Sequence, residues 1–158
     1  MMEAIIKRLL NIRDLRENRA LALLSARRRE TAEARNKEQE LRREFEERQT
    51  ALKTETSKAW AEVVDALVKR EDVDRVRGME AKGKRELAAL EARLEESRTA
   101  ITRAEDAEND ALAGLQKLRR DGVKMEELRN TERSRVRRER QRAEEEEIDE
   151  MVTMRQQT

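Results

Sequence analysis

The sequence predicts an all-α fold, a long antiparallel two-helix coiled-coil hairpin, and three observations carry that prediction. From Val73 to Met125 the residues at alternating steps of three and four are mostly apolar, while the positions between them are largely Arg, Lys, Glu or Ala. One narrow stripe of a long helix is therefore dry and the rest wet, as in a helix paired with another. The 158 residues are 46% charged and 1% aromatic, with one Phe and one Trp, too few large side chains for a thick globular core. Pro is absent and Gly occurs four times, whereas a sheet protein would be punctuated by turns. High charge alone would suggest disorder, but disordered chains favour Pro, Gly and Ser and lack sustained heptads.

The first helix is expected over about residues 3–68, its seam running through Ile5, Leu9, Ile12, Leu23, Leu41, Phe45, Leu52, Ala59, Val63 and Leu67. A turn is expected at about 69–73, where Asp72 would cap the next helix and Asp74 would sit in its positively charged first turn. The second helix then covers about 74–152, and the whole chain forms one elongated hairpin. Its seam reads Val73, Val76, Glu80, Gly83, Leu87, Leu90, Leu94, Ser97, Ile101, Ala104, Glu108, Ala111, Leu115, Leu118, Gly122 and Met125. A turn near residue 71 would set Leu52 against Leu90, Leu41 against Ile101 and Phe45 against Ser97. The polar run Arg27–Glu40 would face an alanine-rich stretch, making mid-length the thinnest and softest part of the pairing. Gly83, Gly114 and Gly122 each cost about 1 kcal/mol relative to Ala inside a helix, so they mark either bends or a tolerant surface. At about 1.5 Å per residue, helices of this length make a shaft of roughly 100 Å, a spacer or lever more than a container.

Composition also bounds the chemistry. With neither Cys nor His, disulfides, thiol nucleophiles, zinc clusters and the commonest general base are all missing, so no catalytic, cofactor-binding or metal site is expected. Net charge is +1, so the chain as a whole is no polycation seeking nucleic acid. Charged residues interrupt the apolar start, from Met1 to Leu24, and a membrane span needs about 20 uninterrupted apolar residues. A cytosolic protein without a span is expected, although Leu and Ile facing one way and Arg the other also suit an amphipathic helix on a membrane surface.

Gly78-Met79-Glu80-Ala81-Lys82-Gly83-Lys84-Arg85 has the glycine and lysine spacing of a phosphate loop. Arg85 replaces the required hydroxyl and no apolar strand precedes, so the segment reads as ordinary helix. Arg129, Arg133, Arg135, Arg137, Arg138, Arg140 and Arg142 form a basic stretch with three readings. It could lie along phosphates, but acidic residues from Glu144 follow and aromatic stacking residues are missing, so nucleic acid is not expected as a partner. It could be a solvated face held by Glu–Arg pairs. It could dock a partner's carboxylates, since Arg outnumbers Lys about three to one. Trp60, Val63, Val64, Leu67, Val68, Val73 and Val76 cluster near the turn, as either a plug closing the hairpin or an exposed docking tip.

The length, the amphipathic start Ile5-Ile6-Lys7-Arg8-Leu9-Leu10-Asn11-Ile12-Arg13 and the segment Glu71-Asp72-Val73-Asp74-Arg75-Val76-Arg77 resemble the YscO/FliJ family of bacterial type III secretion stalk proteins. The resemblance spans nearly the whole chain without an invariant motif. It implies a non-enzymatic central stalk in the bacterial cytoplasm, peripheral to the inner-membrane secretion apparatus and tied to virulence. Such a stalk binds and stimulates the hexameric secretion ATPase and links it to the export gate and substrate chaperones. Carried onto this chain, the ATPase contacts would be Ile5, Leu9, Ile12, Met125, Leu128, Val136 and the Arg129–Arg142 face. The tip from Trp60 to Val76 would be left to the gate, and the isolated protein would be a monomer. A scaffolding coiled coil, alone or as a dimer, and a hairpin chaperone are the competing classes, though chaperones of that kind carry strands that this pattern lacks.

Overall fold

The computed structural model describes residues 2–65, 67 and 69–157. They form α1, Met2–Asp65, and α2, Arg70–Gln156, with no strand among them. Both helices persist because long runs of Glu, Lys, Arg, Ala and Leu carry high helical propensity and no proline interrupts them. Isolated helices this polar gain little from propensity alone, so the buried seam supplies what holds them. Contacts divide the chain into two units, Leu24–Asp110 and Met1–Leu23 with Ala111–Thr158, each containing an antiparallel pair of helical segments.

In the unit Leu24–Asp110, α1 turns inward Leu24, Thr31, Glu38, Leu41, Phe45, Arg48, Leu52, Thr56 and Val63, stepping by three, four or seven. Facing them, α2 presents every expected seam position from Val73 to Glu108 as buried or half-buried. Leu41, Leu52, Val63, Val76 and Leu94 are its buried apolar residues, with Val76 2% exposed. The polar run Arg27–Glu40 is helical and contributes to the seam with small or paired groups. Thr31 is buried and its hydroxyl donates to the Arg27 carbonyl, while buried Glu38 accepts from Arg42 at 2.7 Å and lies 3.8 Å from Arg98.

The register differs from the expected one. Cross-helix partners have numbers summing to 134–140, as in Arg48–Glu86, Arg98–Glu38 and Arg35–Glu105, because α1 ends at Asp65 and α2 already begins at Arg70. Leu52 consequently lies over Gly83 and not Leu90, and Leu41 shares a groove with Ser97 in place of Phe45. Residues 70–73 are helical, and the Lys69 carbonyl accepts from the amides of Asp72 and Val73. Asp72 is therefore not a cap; it and Glu71 sit in the first turn, where the helix dipole favours negative charge. Ala66 and Val68, assigned to the first helix from sequence, lie outside the described residues.

In the other unit, α1 turns inward Ile6, Leu10, Arg13, Glu17 and Ala20. Against them α2 sets Ala111, Leu115, Leu118, Gly122, Met125, Arg129 and Glu132. Leu115, 2% exposed, and Ile6 are its best-buried apolar side chains. The expected α1 seam of Ile5, Leu9, Ile12 and Leu23 is displaced by one residue, about 100° of helix rotation. All four are 40% or more exposed.

Two seam glycines have a packing reason. A β-carbon on Gly83 would collide with the Leu52 side chain, and one on Gly122 would meet Arg13 at 2.8 Å, so both make room for a large side chain of α1. Gly114 has open space around it. We expect Gly83→Ala to destabilise the protein in thermal unfolding. The same change made together with Leu52→Ala should instead add about 1 kcal/mol of helix propensity to that variant, since the obstruction is gone.

Candidate functional site

The first candidate surface lies where α1 and α2 pair in the unit Met1–Leu23 with Ala111–Thr158. Arg13 fills the space above Gly122, donating to the Gly122 carbonyl at 3.3 Å and to Glu126 at 3.1 Å. The hydrogen bond to Glu126 raises the Arg13 guanidinium further above its ordinary range; partial burial opposes this and Asp14 adds to it. Glu17 accepts from Arg119 at 3.0 Å, and Glu3 lies 3.6 Å from Arg133. Ion pairs thus carry the seam where apolar residues run out.

The α2 stripe continues as Arg129, Arg133, Val136 and Arg140, which with Met2, Glu3, Ile6, Glu132, Arg135 and Arg137 line an open groove. The Arg129 Nε is buried there without a hydrogen-bond partner. Burial without a partner disfavours a guanidinium N–H, so the groove has an unmet demand for an acceptor. From Arg137 onward every described residue is exposed, since α2, at 87 residues, is longer than α1, at 64. Arg135 pairs with Glu132 at 2.8 Å and approaches Glu139. Among the described residues, Arg137, Arg138, Arg140 and Arg142 enter no ion pair, and Arg138 reaches only the Ser134 carbonyl.

The contact candidates from sequence therefore do not form one patch. Met125 and Arg129 are half-buried in the seam, Val136 sits at its edge, and Arg133, Arg135, Arg137, Arg138, Arg140 and Arg142 are exposed on α2. Leu128 is 59% exposed on a side of α2 away from the seam. Ile5, Leu9 and Ile12 form a separate outward stripe on α1. Arg13, Glu17 and Glu126 were missed, because polar residues leave no trace in a search for apolar periodicity.

The second surface is the tip of the unit Leu24–Asp110. Val63 and Val76 are buried, Val73 and Trp60 are half-buried, and the Trp60 indole N–H donates to Glu80 at 2.7 Å. Those residues close the helix pair. Val64 and Leu67 are 74% and 96% exposed, so the apolar surface left for contact is theirs; Val68 lies outside the described residues.

Guanidinium and carboxylate groups line the helical pair, and the described residues include no grouping of side chains that could hold a metal ion. Comparison with known proteins names the setting. The family model "Type III secretion protein YscO" matches residues 6–154. The chain belongs to the YscO family of type III secretion proteins. A 2.8 Å crystal structure of type III secretion protein YscO from Vibrio parahaemolyticus superposes with a TM-score of 0.83, at 20% identity and covering 94% of each chain. At that identity the likeness speaks to the fold. Nothing among curated proteins matches the chain. Membership in the YscO family gives this protein a role in the secretion apparatus, and no helix among the described residues is long and apolar enough to cross a membrane.

If the tip divides as described, Val76→Ala should cost about 2 kcal/mol in denaturant unfolding. Val64→Asp and Leu67→Asp should leave stability within about 0.5 kcal/mol of the parent.

Proposed function

We propose that this YscO-family protein is a non-enzymatic stalk that docks on the hexameric ATPase of a type III secretion apparatus and stimulates it. The observation that carries the reading is the exposed run of α2 beyond Met2 and Glu3, where four arginines enter no ion pair among the described residues. Guanidinium groups with free donors suit bidentate contacts with carboxylates, and an acidic ring interior would supply them. The half-buried Arg129, with its unmet Nε, and Val136 in the groove would add the desolvated centre that such interfaces need. A charged rod touching repeated subunits favours different states in each, which is how docking would change turnover without chemistry of its own.

Arg133, Arg135, Arg137, Arg138, Arg140 and Arg142, with Leu128 on the flank, are the proposed ring contacts on α2. Ile5, Leu9 and Ile12 face outward on α1 and are not part of this proposed contact. The tip, through Val64 and Leu67, is the proposed contact for the export gate, with substrate chaperones as further partners. Their exposure without a structural task supports that assignment.

Adding the purified chain to the hexameric ATPase should promote ring assembly and raise ATP turnover. Reversing Arg135, Arg137 and Arg138 to Glu should weaken both, with a steep salt dependence and no change in helicity. Neither effect appearing at saturating concentration would leave a scaffolding coiled coil as the better description.

A further inference from the structure

In the unit that holds its first residues, α1 has two apolar faces, and pairing with α2 uses one. The unused face carries Met2, Ile5, Leu9, Ile12, Leu15 and Leu23, each 40–60% exposed. At about 100° per residue, Ile5, Leu9, Ile12 and Leu23 fall within an arc of roughly 60°. Arg16 lies inside that arc and Arg8 and Arg19 along its edge, all exposed and in no ion pair or hydrogen bond among the described residues. The acids of the segment are elsewhere on the helix and engaged: Glu3 with Arg133, Asp14 with Arg13, and Glu17 with Arg119. The outward face is thus apolar and cationic without a carboxylate.

We propose that this face of α1, residues 2–23, is a docking surface for an anionic phospholipid bilayer. The distribution of charge selects that occupant. A protein groove receiving the stripe would desolvate Arg16 among Ile5, Leu9 and Ile12. At a bilayer surface the same side chain reaches the phosphates while the aliphatic residues enter the boundary of the acyl chains. The unpaired guanidiniums match anionic headgroups in sign, and a segment of this length lies along the surface without entering it deeply. The proposal goes beyond the ATPase reading and uses a different set of arginines.

Cosedimentation of the full chain with vesicles tests it. Binding should be tighter by roughly tenfold to a hundredfold on phosphatidylcholine vesicles containing about one-third phosphatidylglycerol than on pure phosphatidylcholine. Arg8→Glu with Arg16→Glu and Arg19→Glu should abolish the difference while leaving helicity and ATPase stimulation in place. Leu9→Trp should show a blue-shifted emission on the anionic vesicles only. Equal binding to both vesicle types, or none, overturns the proposal. So does binding that survives the α1 reversal and vanishes when Arg137, Arg138, Arg140 and Arg142 are reversed. A concentration-dependent dimer broken by Leu9→Asp would assign the face to a second copy and overturn it as well.

Discussion

A large side chain on one helix meeting an empty position on the other is the constraint on which the register depends. Leu52 occupies the space that Gly83 leaves, and Arg13 the space that Gly122 leaves. Sliding either pair by a turn would put a Leu or Arg against a filled seam position. In a seam with few bulky residues, steric exclusion at such points discriminates between registers where apolar pattern alone is weak.

Polar seam residues complete the specification. Glu38 beside Arg98 and Arg13 on Glu126 are cross-helix contacts of the observed alignment, while Arg42 on Glu38 and the Thr31 hydroxyl on the Arg27 carbonyl satisfy the remaining seam polar groups within α1. Replacing such contacts with apolar residues could leave stability unchanged or raise it, since desolvation offsets much of the attraction. What would be lost is the distinction between one alignment and its neighbours.

The α2 seam was legible residue by residue, since its apolar positions keep three-four spacing for over 50 residues and all the predicted positions are buried or half-buried. On α1 the reading slipped by one, as Ile5, Leu9 and Ile12 are conspicuous but outward, while Arg13 and Glu17 are inward and polar. Counting back in heptads from Leu52 through Glu38, Thr31 and Leu24 leads to Glu17 and Leu10, and from Leu41 to Ala20, Arg13 and Ile6, the inward residues. The exposed arginines were legible as a cluster. Their separation from the apolar stripe of α1 was not, because it depends on that same single-residue slip. The turn was placed late, since acidic residues suited to a cap at Asp72 also suit a first helical turn.

From Arg137 onward, every described residue of α2 is exposed. Substitutions of such exposed residues cost the helix pairing little, so that stretch is free to vary where the paired helices are not. Such a segment can track a changing partner quickly, while the paired helices, each locked to the other by size and charge, must change in concert or stay as they are.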